Sequence, residues 1–247
     1  MRRPPVDFVV IGAMKCGTTS LHHYLAAHPD VSLPARKEVD FFFGRQPGGP
    51  GNRWRGLDWY EALFDPEAPV RGDVSPGYTS PDHPEAAAGI AEVAPDARLV
   101  LLVRDPLDRA VSQYRHHRRD GTEPRSLADA LLDPALHYVR RSRYAERLVP
   151  FLERFPADRI AVVDHVALAG ETRATVDALC RFLEIPASVP DEDLARRHNA
   201  AGDRHRPVPA DLARRFRELV ADDVERFAEL RGELVVTAPP ASERETA

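Results

Sequence analysis

A chain of 247 residues, 43% apolar and 30% charged, is long enough for one globular domain with a sizeable core. Its net charge of −5 excludes a global pull toward nucleic acid or an anionic membrane, so any anion site must be local. Two cysteines, Cys16 and Cys180, exclude a disulfide framework and a cysteine metal cluster, and point to reduced thiols in a cytoplasm.

The apolar run at 8–14 follows Asp7, ends at Lys15 and lacks a small-residue cleavage site, so it reads as a buried strand and not a leader. The strand is expected over 6–11, a turn over 12–17, and a helix over 18–27 that stops at His28-Pro29. A short strand at 31–33 precedes a Gly/Pro/Arg-rich segment, 44–56, predicted to be a mobile loop. Next come a helix at 57–63, a strand at 70–74, a helix at 84–93 and a strongly apolar strand at 98–103. Asp105-Pro106 opens a helix running to about 119, since proline is tolerated in a first turn. Helices over 127–132 and 140–155, a strand over 159–163 and a helix over 172–183 follow. A polar loop over 185–209 leads to an amphipathic helix over 210–230, and 237–247 reads as a disordered tail. Alternating strands and helices predict one α/β domain over 1–236, a P-loop-type parallel sheet with helices on both faces.

The segment from Val9 to Ser20 joins a strand, a glycine-containing turn and a helix start. Such a turn aims backbone N–H groups and the helix dipole at an anion, and Lys15, Cys16, Gly17, Thr18, Thr19 and Ser20 are the candidate binders. It departs from G-x-x-x-x-G-K-[ST], because the lysine stands two places before Gly17, which weakens the case for a γ-phosphate with Mg²⁺. A second anion site is expected where Arg104 ends a buried strand, with Ser112 two turns into the next helix. Arg109 is expected to pair with Asp105 or Asp108. Of the 34 Lys+Arg residues only Lys15 and Lys37 are lysine, which marks both as positions where a compact ammonium is required.

Together these segments resemble the PAPS-dependent sulfotransferase family, most closely its heparan sulfate N- and O-sulfotransferase-like and bacterial branch. The turn at 12–20 resembles the family's 5′-phosphosulfate loop, and Val103-Arg104-Asp105-Pro106 through Arg109, Ser112 and Tyr114 its 3′-phosphate motif. Lys37-Glu38-Val39-Asp40-Phe41-Phe42 resembles its K-E-x-x-F-F segment, Asp73 to Tyr78 its E-K-[ST]-P-x-Y segment, and Arg141 to Tyr144 and 155–164 are similar too.

The resemblance implies 3′-phosphoadenosine 5′-phosphosulfate (PAPS) as donor, held at one end by Lys15 to Ser20 and at the other by Arg104 and Ser112. It implies Glu38 as the base that takes the acceptor's proton, Lys15 as a catalytic cation, and no metal. Arg206, or Arg204, in the poorly matched late loop is a further cofactor candidate. Val74 stands where the family carries a second lysine, for which Lys37 is the available substitute, and Asp40 is a rival base or substrate ligand. The acceptor is expected to be a carbohydrate or small molecule bearing a hydroxyl or amine, and neither nucleic acid nor membrane is an expected partner. Arginines 115, 118, 119, 140, 141 and 143 either line an acceptor cleft or form a solvated face. The competing readings are an ATP-dependent small-molecule kinase and a nucleotide-binding protein without catalysis.

Overall fold

A computed structural model describes residues 3–196 and 207–237. Its framework is a parallel six-stranded sheet in the order β2-β3-β1-β4-β5-β6, with strands β1 (Phe8–Gly12), β2 (Val31–Ser32), β3 (Val70–Val74), β4 (Arg98–Val103), β5 (Ile160–Asp164) and β6 (Val235–Val236). Every residue of β1 is buried, as is β4 from Leu99 onward, because helices cover the sheet and leave no solvated face to reward a polar residue. In register, Val10 lies between Val74 of β3 and Val100 of β4.

The helices are α1 (Thr18–Ala26), α2 (Leu57–Glu61), α3 (Ala86–Val93), α4 (Pro106–Arg119), α5 (Leu127–Leu132), α6 (His137–Arg140), α7 (Tyr144–Leu152), α8 (His165–Gly170), α9 (Thr172–Phe182), α10 (Asp191–Leu194) and α11 (Ala210–Arg231). One apolar core surrounds the sheet, and a smaller one lies among α4, α5, α6 and α11, built on Leu107, Leu131, Tyr138 and Phe216.

Three expectations give way. The helix expected over 140–155 is confined to α7 over 144–152, because the turn before it is captured by Arg109. Its guanidinium, fully buried, donates to Ser142 Oγ (2.7 Å), Gln113 Oε1 (2.6 Å) and the Tyr138 carbonyl (2.7 Å). Arg109 therefore does not pair with Asp105 or Asp108; Asp105 instead caps α4 by accepting from the Asp108 N–H (2.9 Å). The 44–56 segment is tied down: Asn52 donates from Nδ2 to the Val39 carbonyl (2.7 Å) and from its N–H to that of Asp40 (2.9 Å). Helix α8, nucleated by Asp164 accepting from the Val166 N–H (2.8 Å), the one-turn helix α6 and the short edge strand β6 have no counterpart among the expected elements, and the one-turn helix α10 interrupts the stretch expected to be a polar loop. The Thr237 N–H reaches the Val162 carbonyl (3.3 Å), and the rest of the expected tail lies outside the described residues.

Candidate active site

The sheet reverses direction of growth at β1: β2 and β3 add on one side, β4, β5 and β6 on the other. In open parallel sheets the crevice beyond the carboxyl ends of the strands at such a point is where ligands sit. Lys15 and Gly17 follow β1 there, and Arg104 follows β4, so the chain order alone brings both anion motifs to one crevice.

The turn 13–17 is rigidly built. The Ala13 N–H donates to Leu102 of β4 (2.9 Å), and the Cys16 N–H to the Ala13 carbonyl (3.2 Å). Glycine suits position 12, since a Cβ there would collide with Thr79 Oγ1 and lie 3.0 Å from its Cγ2. Gly17 sits in the left-handed region (φ 94°) and leads into α1, whose first turn carries no acidic residue and no side-chain cap on its N–H groups. An anion is the natural partner for such a helix start.

Cys16 differs from expectation. Its thiol points inward, 3.4 Å from the Tyr144 hydroxyl, and burial pushes it up to about 11. Its N–H is used inside the turn, so the Cys16 side chain packs the loop from within. Thr18 is buried, whereas Thr19 and Ser20 are half-buried. Lys15 is half-buried at φ 72°, a conformation uncommon for a side-chain-bearing residue, and burial, then the neighbouring Arg119, lowers its pKa.

Tyr144 couples the two motifs. Its hydroxyl donates to the Arg104 carbonyl (3.0 Å), lies 3.3 Å from the Arg104 N–H and meets Cys16 Sγ. Arg104 itself is half-buried and 3.5 Å from Asp108, while Ser112 lies half-buried two turns along α4. Sequence reasoning singled out the 141–144 segment without assigning this bridge. Its signal is a tyrosine beginning a helix, directly after a polar turn.

Glu38 and Asp40 enter from the β3 side. The Glu38 N–H donates to the Val74 carbonyl (3.1 Å), and the Asp40 N–H to Ser75 Oγ (3.1 Å). Both residues have positive φ, 63° and 50°. The Glu38 side chain is 46% exposed and ion-paired with Lys37. Asp40 is turned inward with Oδ1 buried and unpartnered; burial first, then Asp73 and Glu38, raises its carboxyl to about 6. The Glu38 side chain is the more exposed of the two carboxylates, which favours it as the group facing substrate. Asp73 anchors this wall, accepting from Tyr78 OH (2.6 Å), Ser75 Oγ (2.6 Å) and Tyr60 OH (2.9 Å).

Among the arginines expected at an acceptor cleft, Arg143 is engaged elsewhere, on Asp222 (2.6 Å) and the Leu219 carbonyl (2.9 Å) of α11. Arg141 stays at the site, donating to Met14 Sδ (3.0 Å) and Asp82 (3.0 Å). Arg204 and Arg206 lie outside the described residues. No described helix is long and apolar enough to cross a membrane.

A parallel sheet whose switch-point crevice joins two anion-gripping motifs to a carboxylate defines a group-transfer site for a phosphorylated donor. Comparison with known proteins narrows the class. A model described as "Sulfotransferase family" matches residues 51–191, and the chain belongs to the sulfotransferase family. It is 29% identical over 202 residues to the bifunctional heparan sulfate N-deacetylase/N-sulfotransferase 1 of Caenorhabditis briggsae, covering 73% of this chain and 23% of that protein. It is 31% identical over 185 residues to the mouse heparan sulfate glucosamine 3-O-sulfotransferase 3A1, covering 69% and 44%. The chain thus spans less than half the length of these curated relatives. A sulfotransferase structure from Alicyclobacillus acidocaldarius superposes with a TM-score of 0.76 at 29% identity, covering 94% of this chain and 97% of that one. Mouse SULT7A1, solved with PAP, shares the fold at 14% identity and a TM-score of 0.59.

Proposed function

We propose that the protein transfers a sulfuryl group from PAPS to a hydroxyl or amine of a carbohydrate or small-molecule acceptor. The observation that carries this reading is the Tyr144 hydroxyl, which ties the lysine-bearing turn after β1 to Arg104 at the end of β4. A donor phosphorylated at two separated positions suits that pair of grips. Lys15 and the α1 N-terminus hold the 5′-phosphosulfate, and Arg104 with Ser112 the 3′-phosphate. Glu38 takes the acceptor's proton while Lys15 and the turn's N–H groups stabilise charge growing on the leaving phosphate oxygen. Sulfuryl transfer of this kind depends on alignment and charge neutralisation more than on covalent catalysis. The names of the relatives include both N- and O-sulfotransferases, which leaves amine and hydroxyl acceptors equally open. Two buried free thiols suit a reducing compartment, and the cytoplasm is the proposed location.

Calorimetry against adenosine 3′,5′-bisphosphate and ATP, with and without Mg²⁺, tests the donor. Metal-independent binding of the bisphosphate supports it, and Mg²⁺-dependent binding of ATP alone would establish a kinase instead. Glu38→Gln is expected to lower transfer by about 10²–10⁴ while leaving bisphosphate affinity intact. Near-normal turnover would remove Glu38 from the chemistry.

A further inference from the structure

The two lysines, 22 residues apart in sequence and alone among 34 cationic side chains, converge on the same crevice. Lys37 is one of the charges that lower the pKa of Lys15, and its field also reaches Asp40, Asp73 and His22. It therefore lies close to the turn after β1 and to the carboxylates of the β3 wall. Its side chain is only 17% exposed, although Arg36 and Glu38 on either side are exposed, and its ammonium rests on the Glu38 carboxylate. The main chain fixes this position: Glu38 is hydrogen-bonded to Val74 (3.1 Å), and the next residue, Ser75, donates its N–H to Val10 of β1 (3.2 Å). Val74 is apolar and buried, so β3 brings no cation of its own to this spot.

A solvated pair of neighbouring side chains has no need of a lysine in a chain that uses arginine almost everywhere else. Resting directly on the carboxylate assigned as base, the ammonium also occupies Oε1, one of the two oxygens that could accept the acceptor's proton. From this geometry we infer that Lys37 is a second catalytic cation, which leaves Glu38 for a non-bridging sulfuryl oxygen when PAPS binds. The inference rests on the donor reading above. Entry of the sulfuryl group supplies the ammonium with a new anion and frees the carboxylate. The acceptor oxygen then bonds to sulfur and gives its proton to Glu38. The bond from sulfur to the bridging oxygen breaks, and its electron pair goes to the 5′-phosphate of the departing adenosine 3′,5′-bisphosphate, beside Lys15. Donor binding thereby switches the base on.

The test compares the wild-type chain with Lys37→Met, Glu38→Gln and the double variant. Bisphosphate affinity is measured by calorimetry, and transfer from labelled PAPS is measured to the best wild-type acceptor in a panel of phenols, amino sugars and oligosaccharides. Because the bisphosphate lacks the sulfuryl group, Lys37→Met is expected to bind it within about threefold of wild type, while transfer falls by about 10²-fold, the effect of deleting one donor to a developing charge. The double variant is expected to be at least tenfold slower than Glu38→Gln alone. Equal rates for Glu38→Gln and the double variant would reduce Lys37 to a holder of Glu38, and wild-type transfer by Lys37→Met would remove it altogether. A wild-type chain that neither binds the bisphosphate nor transfers sulfate would instead bring down the donor reading itself.

Discussion

Asp40→Asn offers a quantitative check on the wall behind the proposed base. Burial, reinforced by Asp73 and Glu38, lifts the Asp40 carboxyl from an ordinary 3.8 to about 6. That change in proton affinity is worth about 3 kcal/mol, at 1.36 kcal/mol for each factor of ten. The sign follows from proton binding: between about pH 4 and 6 the folded protein retains a proton that the unfolded chain has released, so stability falls as pH rises. The contribution is whole below the unfolded value and lost once pH passes about 6. Asparagine cannot ionise and escapes this loss. Relative to wild type, Asp40→Asn should therefore gain up to about 3 kcal/mol between pH 4 and pH 8. Comparing the two pH values cancels whatever the amide costs in fit. Urea unfolding of both proteins at each pH measures the quantity. A wild-type-to-variant difference that stays constant across this range would refute the claim that Asp40 is buried at an energetic cost.

Other expectations follow from single contacts. Tyr144→Phe strips partners from the Cys16 thiol and the Arg104 main chain; it should cost about 1–3 kcal/mol and weaken bisphosphate binding in calorimetry, whereas unchanged affinity would deny the bridge its role. Gly12→Ala drives a methyl into Thr79 and should destabilise by about 1–3 kcal/mol, an effect that Thr79→Ala in the same chain should partly relieve in thermal melts. Arg109→Met leaves Ser142, Gln113 and the Tyr138 carbonyl short of a donor. A loss of about 3 kcal/mol in urea unfolding is expected, in the range for a broken buried polar network.

What could be read from the sequence depended on how local its cause was. Strands β3 and β4 and helices α4 and α5 match their expected bounds because each is written in short-range signals: apolar runs, a proline in the first turn, an Asp or Ser cap. The late start of α7 is hidden because its cause is Arg109, some 30 positions upstream, reaching across to Ser142 and Tyr138. No periodicity in 137–152 records that. The α7 N-terminus is likewise capped from afar, with Asp223 of α11 accepting from the Ala145 and Glu146 N–H groups (3.0 and 2.9 Å). At the site, residue types in a recognisable pattern are legible, whereas the direction of a side chain is not: nothing in the sequence says that the Cys16 thiol faces the core.

The site also shows where local preference is overruled. Outside glycine, the described residues with positive φ are Lys15, Glu38, Asp40 and Glu184. Glu184 has a structural explanation, since it follows the α9 C-cap and lets the Ile185 N–H return to the Cys180 carbonyl (3.0 Å), as left-handed residues at helix ends do. The other three terminate no helix; Lys15 and Glu38 belong to the proposed chemistry, and Asp40 packs beside Glu38 in the same wall. Each conformation costs about 1–3 kcal/mol, and asparagine or glycine would reduce that cost. Neither supplies an ammonium or a carboxylate. The chain tolerates the expense at 15, 38 and 40 because Ala13, Val74 and Ser75 hold the backbone there in place. Strain concentrated on the ionisable residues of one crevice, with the chain's two lysines on either side of it, is what a site selected for charge placement requires, and stability alone supplies no reason for it.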